Sequence, residues 1–136
     1  MAGTFHLSVI TPERAVLETD ATFVAFPAHD GEVGILRNRA PLLHRLGSGI
    51  LRAETPEGRQ ELFVDGGFAQ MVDNRLTILT EQARRPEEVD RTHAEEALAA
   101  ARAQPATDPI SVANRERAVN RARAELRVAS RRGTAS

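Results

Sequence analysis

The 136-residue sequence contains no cysteine, lysine, tryptophan or tyrosine. Without cysteine, the chain can form neither disulfides nor a thiolate metal site, and a reducing compartment suits it. Without lysine, it cannot carry a Walker-type P-loop, whose lysine contacts nucleotide phosphates. Without tyrosine or tryptophan, it lacks most of the aromatic rings on which single-stranded nucleic acids stack. These absences disfavour thiol chemistry, P-loop chemistry and base stacking.

Long hydrophobic runs are also missing. No segment approaches the ~20 uninterrupted apolar residues of a membrane-spanning helix, and the first residues, MAGTFHLSV, lack the basic and apolar regions of a signal peptide. We therefore expect a chain that is neither exported by that route nor inserted in a membrane.

Enzymatic signals are weak. The four histidines are not spaced as metal ligands, so we expect no metal site. His29 and Ser48 could belong to a hydrolase, but no nucleophile elbow frames the serine.

Charge divides the chain into two parts. Residues 1–108 carry 11 arginines and 17 acidic residues, a net charge of −6, whereas residues 109–136 carry seven arginines and two glutamates, a net charge of +5. The arginine-rich end suits either nucleic-acid phosphates or an acidic protein partner. Since the rest of the chain is acidic and would be repelled by nucleic acid, a protein partner is favoured.

Hydrophobic patterning predicts strands over the first part of the chain. FHLSVI alternates apolar and polar positions, ILRAETPEGRQELFV has turn residues between two strand-like flanks, and GGFAQMV is followed by a turn at Asp73 and Asn74 and then by RLTILTEQA. Short strands with frequent turn signals are typical of an antiparallel sandwich or barrel.

The remaining residues indicate two helices. Acidic residues follow Pro86 where a first helical turn favours them, and Asp108 with Pro109 fits the N-cap and first position of a second helix. Val112, Val119 and Leu126 recur every seven residues, with Ala122 and Ala129 three residues after the latter two, and predict a narrow apolar stripe of mostly small side chains. The expected fold is mainly β plus α: an antiparallel β-sandwich over residues 1–85 and an antiparallel two-helix hairpin over residues 86–136.

Residues Asp30 to Leu43 are similar to the signature loop of the epsilon subunit of F-type ATP synthases. That pattern runs approximately Gly-Glu-Leu/Val-Gly-Ile-Leu/Tyr-Pro-Gly/Asn-His-Ala-Pro-Leu, and this chain has GEVGIL followed by APLL. FHLSVITPERAV and GGFAQMVDNRLTILTEQA resemble the family's first strand and the strand pair that closes its sandwich. Arg37 replaces the usual proline and Arg39 the usual histidine.

The resemblance implies a non-catalytic rotor subunit of a proton-translocating ATP synthase, peripheral to the cytoplasmic face of the bacterial inner membrane within the F1 sector. In that family the sandwich binds the gamma subunit and the c-subunit ring, while the hairpin restrains ATP hydrolysis. The expected interface residues are Gly31, Glu32, Arg37, Asn38, Arg39, Ala40 and Pro41. A sandwich with an arginine-rich helix that binds nucleic acid is the alternative, and a small hydrolase is a third reading.

Some bacterial members of the family bind ATP on the hairpin through Ile/Leu-Asp-x-x-Arg-Ala. The corresponding residues here are Asp90, His93, Ala94 and Arg121. His93 replaces an arginine, and Glu125 and Ala100 stand at two further arginine positions. Because each replacement removes a charge-assisted contact to phosphate, we expect weak or absent ATP binding and no other cofactor.

The resemblance also implies a contact with the catalytic beta subunit. In the family's extended form, the last helix lies against an acidic loop of that subunit. The residues expected to make this contact are Arg121, Arg123 and Arg127.

Overall fold

The computed structural model describes residues 3–134, and the side chains as far as residue 130. The strands are β1 (Phe5–Ile10), β2 (Ala15–Ala21), β3 (Phe23–Ala28), β4 (Gly31–Leu36), β5 (Leu42–Arg45), β6 (Ser48–Thr55), β7 (Gly58–Asp65), β8 (Phe68–Val72), β9 (Arg75–Leu79) and β10 (Ala83–Arg84). A 3₁₀ turn (Pro86–Glu88) and two helices, α1 (Arg91–Ala103) and α2 (Pro109–Thr134), follow them.

The strands form two five-stranded sheets. The first sheet has the order β2-β1-β9-β8-β5 and the second β10-β7-β6-β3-β4. Strands β1 and β9 pair in parallel, whereas the other ladders among residues 3–134 are antiparallel. The predicted class, a sandwich of mainly antiparallel strands followed by two helices, is confirmed.

The core lies between the sheets and follows from the alternation of side chains along each strand. In β1, Phe5, Leu7 and Val9 are buried, while the residues between them are half-buried. Leu76 and Ile78 of β9 are buried beside them, in the predicted alternating pattern. Full burial of one such side chain stabilises the fold by about 1.5–3 kcal/mol.

The turn between β8 and β9 lies where the sequence predicts it. Asp73 and Asn74 both have positive φ, 50° and 60°, and Val72 pairs with Arg75 across the turn. This is the two-residue type I′ geometry that matches the twist of antiparallel strands. Aspartate and asparagine tolerate it because their short side chains fit the left-handed region.

The chain divides into two compact units, Met1–Arg84 and Arg85–Ser136. The first contains both sheets, and in the second α1 and α2 pack together as a hairpin. Among the described residues, no helix combines the length and apolar character required to cross a membrane.

The first helix begins later than the sequence predicts. Pro86 opens only a 3₁₀ turn, and Val89 is extended. Helix α1 begins at Arg91 because the carboxylate of Asp90 accepts hydrogen bonds from the backbone N–H groups of Thr92 (2.9 Å) and His93 (3.3 Å). The acidic residues after Pro86 suggested a helix start, but the N-cap that fixes the helix is Asp90.

The second helix begins where it was predicted, and its buried face includes part of the predicted stripe. Ala122 and Ala129 are buried as predicted, whereas Val112 is exposed and Val119 and Leu126 are only half-buried. The buried residues of α2 are Ala122, Ala124, Glu125, Val128 and Ala129. Small side chains dominate this face because the heptad pattern of larger residues lies to one side of it.

Asp108 caps α2 and gives a test of this helix start. Its Oδ1 accepts from the Ser111 N–H (2.8 Å), and Ser111 Oγ accepts from the Asp108 N–H (3.1 Å). Asp108→Ala should destabilise the helix end by about 1 kcal/mol and accelerate hydrogen exchange at the Ser111 amide. Asp108→Asn keeps a capping oxygen without the charge and should stay close to wild type. Equal exchange in both variants and wild type would contradict the cap assignment.

Candidate functional site

The first part of the signature sequence forms a strand. Gly31–Leu36 is β4, an edge strand that pairs along its whole length with β3. The first six residues of the stretch that resembles a signature loop are therefore a strand. Val33 and Ile35 point toward the core, which leaves Glu32 and Leu36 on the outer face.

Glu32 forms an ion pair on that outer face. Its Oε1 lies 2.9 Å from Nη2 of Arg52, which is on β6. The Glu32 side chain is 56% exposed, so the pair contributes only about 0.2–1 kcal/mol to stability. Glu32 thus keeps much of its carboxylate surface available to another molecule.

The second part of the signature is the connection from β4 to β5, residues 37–41. It begins with a tight turn in which the Arg39 N–H donates to the Leu36 carbonyl (3.3 Å). Asn38 has a φ of 66°, whereas Arg37 is not in the left-handed region. A positive φ at the third position alone is the pattern of a type II turn, which favours proline at the second position and glycine or asparagine at the third.

A pair of asparagines holds this turn. The Asn38 backbone N–H donates to Asn74 Oδ1 (2.7 Å), and Asn74 Nδ2 donates to Asn38 Oδ1 (3.1 Å). The β4–β5 connection, which leaves the second sheet, is thereby fastened to the β8–β9 turn of the first sheet. Sequence reasoning missed this contact because nothing local links two residues so far apart.

The seven predicted interface residues are all exposed, but they form two groups. Gly31 and Glu32 lie at the start of β4, and residues 37–41 follow its end. About 13 Å of strand separates the groups, at ~3.3 Å per residue. The structure therefore brings Arg37, Asn38 and Arg39 together but does not join Glu32 to them.

An apolar surface on the first sheet was not predicted as a site. We call Leu43, Phe68, Val72 and Leu79 the outer apolar patch; their exposures are 70%, 49%, 38% and 48%. Phe68 and Leu79 are direct cross-strand neighbours, and half-buried Ile10 is next to Leu79 on β1. The available signal was the β8 sequence FAQMV, which is apolar at its inward positions and also at two outward ones, Phe68 and Val72.

The residues considered for hydrolysis have structural partners. Ser48 Oγ donates to Asp65 Oδ1 (2.6 Å), and Gln82 Nε2 donates to Asp65 Oδ2 (3.2 Å). Asp65 is buried, and its backbone N–H donates to Thr80 Oγ1 (3.1 Å). Ser48 therefore helps to satisfy a buried carboxylate at the end of β7. Within the described residues, no cluster of metal-binding side chains is found.

The residues that resemble a nucleotide site lie on the hairpin. The Oδ1 atom of Asp90 accepts the hydrogen bonds that cap α1, and Ala94 is completely buried in the hairpin unit. His93 and Arg121 are exposed. Two of the four residues, Asp90 and Ala94, thus have capping and packing roles in the hairpin.

The three arginines expected to contact a partner do not share one face. Arg123 and Arg127 are four residues apart and lie one above the other on α2, and both are exposed. Arg121 precedes the buried Glu125 by one turn and lies on the side of α2 that carries the buried residues. The outward basic surface is therefore formed by Arg123 and Arg127.

Residues 4–86 match the family model described as ATP synthase, Delta/Epsilon chain, beta-sandwich domain. The ATP synthase epsilon chain of Rhodopirellula baltica is 44% identical over 119 residues, which cover 88% of this chain and 93% of that protein. The ATP synthase epsilon chain of Syntrophomonas wolfei is 34% identical over 132 residues, covering 95% and 96% of the two chains.

Solved structures of ATP synthases contain chains with a similar fold. A chain in the cryo-EM structure of the Euglena gracilis mitochondrial ATP synthase, OSCP/F1/c-ring, has a TM-score of 0.79 and 25% identity, covering 93% of this chain and 81% of that one. A chain of the Tetrahymena thermophila mitochondrial ATP synthase central stalk and c-ring has a TM-score of 0.72 at 16% identity, covering 90% and 93%. The second likeness concerns the fold alone.

The type II turn predicts opposite effects for proline at two neighbouring positions. Arg37→Pro fits the turn, since Leu36 before it is extended, and should raise the free energy of unfolding by about 0.4–1 kcal/mol. Arg39→Pro removes the N–H that donates to Leu36 and follows a left-handed residue, so it should destabilise the sandwich. Thermal and urea unfolding measure both changes. Stabilisation by Arg39→Pro, or destabilisation by Arg37→Pro, would contradict the turn assignment.

Proposed function

The chain belongs to the family of ATP synthase epsilon chains, and on that premise we propose that it couples the gamma subunit to the c-ring and restrains ATP hydrolysis. The family predicted from the sequence is confirmed, and so is the prediction of a non-catalytic subunit. As part of the F1 sector, the chain is peripheral to the membrane. Its proposed place is the rotor of a proton-translocating enzyme, at the cytoplasmic face of a bacterial inner membrane.

The observation that carries the coupling proposal is the outer apolar patch. Exposed aliphatic and aromatic side chains grouped on one face of a regular sheet are typical of a protein interface. Phe68 and Leu79, which are cross-strand neighbours, can be fully desolvated by a partner, with Gln70 and Arg45 beside them as polar contacts. We assign this face to the gamma subunit.

The proposed ring contact is made by the polar groups around β4. Arg37, Asn38 and Arg39 are exposed on a short turn, and Glu32 is exposed at the other end of the strand. Charged groups at the rim of an interface set orientation and register more than affinity. We therefore assign these residues to the hydrophilic loops of the c subunits.

The proposed regulatory element is the hairpin. Residues 87–104 have a net charge of −3 and residues 109–136 a net charge of +5, so the two helices attract each other when folded together. Exposed pairs contribute only ~0.2–1 kcal/mol each, so an acidic loop of the beta subunit can compete for the arginines. A small free-energy difference between the arrangements allows rotor torque or a ligand to shift them. ATP itself is expected to bind weakly here, because His93 replaces the family's arginine.

Phe68→Glu tests the gamma contact. A carboxylate on a desolvated apolar patch should weaken binding of the chain to an α3β3γ complex by about 30-fold or more. Ile110→Glu is the matched control, since Ile110 is an equally apolar residue, 75% exposed on the hairpin. Titration calorimetry measures both. Wild-type affinity for Phe68→Glu, with its fold intact, would remove the patch from the interface.

Arg123→Glu combined with Arg127→Glu tests the regulatory contact. Reversing both charges should repel an acidic partner and relieve the inhibition of ATP hydrolysis in the assembled enzyme, and higher salt should relieve part of it in wild type. The control, Arg102→Glu with Arg117→Glu, makes the same change in net charge elsewhere on the hairpin and should leave hydrolysis restrained. Continued inhibition in the first variant, with the subunit still bound, would assign the two arginines to the solvent-exposed surface alone.

A further inference from the structure

Asn74 lies outside both proposed interfaces, but it is hydrogen-bonded to Asn38, which belongs to the proposed ring contact. It is the second residue of the β8–β9 turn, and its own carbonyl accepts from the His6 N–H (2.9 Å) on β1. Its φ of 60° and this backbone bond fix its position at the end of the first sheet. The backbone of Asn74 is therefore held in place, and its side chain projects from a fixed position.

The opposite partner, Asn38, is in a less constrained segment. It is the second of residues 37–41, which connect the two sheets and are exposed throughout. The turn bond from Arg39 to Leu36 is long, at 3.3 Å, whereas the bond from the Asn38 N–H to Asn74 is 2.7 Å. The stronger restraint on the segment is thus the one that comes from Asn74.

The orientation of the two amides follows from chemistry. A backbone N–H can only donate, so Asn74 must direct its Oδ1 toward Asn38, which leaves Nδ2 of Asn74 as the donor to Asn38 Oδ1. The two bonds close a ring between the side chain of Asn74 and both the backbone and side chain of Asn38. We call this ring the amide clasp.

We infer that Asn74 is a positioning residue for the ring contact: through the amide clasp it sets the direction in which Arg37 and Arg39 project. This inference rests on the proposed assignment of those arginines to the c-ring. A turn held at its third residue from outside cannot rotate without breaking two hydrogen bonds. The side chains of Arg37 and Arg39 therefore project in fixed directions. Charged groups need fixed directions if they are to set the register of an interface.

The structure offers variants that break the clasp without disturbing either turn. Asn74→Gly removes both bonds, and glycine accepts the positive φ of a type I′ turn at least as well as asparagine. Asn38→Gly keeps the backbone N–H donor and removes only the side-chain acceptor. Asp73→Gly changes the same β8–β9 turn and leaves the clasp intact, which makes it the matched control.

The test has two readouts, one on the isolated full-length chain and one on the assembled enzyme. In the isolated chain, Asn74→Gly should accelerate hydrogen exchange of the Asn38 amide about tenfold. Asn38→Gly should accelerate exchange at residue 38 by a smaller factor, and Asp73→Gly should leave that exchange rate unchanged. In the enzyme, Asn74→Gly should lower ATP-driven proton pumping per ATP hydrolysed at least twofold, as a rough expectation, while its melting temperature stays close to that of Asp73→Gly.

Unchanged exchange in Asn74→Gly would overturn the clasp, and faster exchange with wild-type coupling would overturn the positioning role. Arg39→Glu in the same pumping assay separates this inference from the proposed function. If Arg39→Glu lowers coupling and Asn74→Gly does not, only the positioning role fails. If Arg39→Glu also leaves coupling unchanged, the ring contact itself fails, and the positioning role fails with it.

Discussion

The alternation of side chains across the first sheet is the constraint on which both the core and the proposed interface depend. The register that buries Ile78 of β9 in the core necessarily turns Leu79 outward. The same parity buries Met71 of β8 and exposes Phe68 and Val72. Since a one-residue slip would exchange the two faces, the burial of the core residues fixes the position of the outer apolar patch.

Local signals predicted much of this fold. Alternation identified β1, the turn residues identified the β8–β9 hairpin, and Asp108 with Pro109 identified the start of α2. The parallel pairing of β1 with β9 was not predictable from such signals, because it joins distant segments and depends on burial in the complete sandwich. Likewise, residues 31–36 resemble part of a loop in sequence, whereas in the structure they form an edge strand whose inward residues are only Val33 and Ile35.

The candidate site likewise contains residues that were expected from the sequence and contacts that depend on the complete fold. The exposed residues of the 37–41 connection were expected only from the resemblance to the epsilon-subunit pattern, and the positive φ of Asn38 became visible in the structure. The amide clasp could not be expected, since it depends on the sheets bringing Asn74 to that turn. On α2 the separation of Arg121 from Arg123 and Arg127 follows from the helical period, but which side is buried depends on packing against α1.

Site-specific crosslinking in the assembled ATP synthase tests most directly the claim that the two faces meet different partners. Because the chain has no cysteine, Phe68→Cys and Arg39→Cys each give a single thiol that can carry a photoactivated crosslinker before reconstitution. We expect position 68 to crosslink to the gamma subunit and position 39 to a c subunit. Crosslinks from both positions to the same subunit, or from neither position in an active complex, would contradict this division of the sandwich surface.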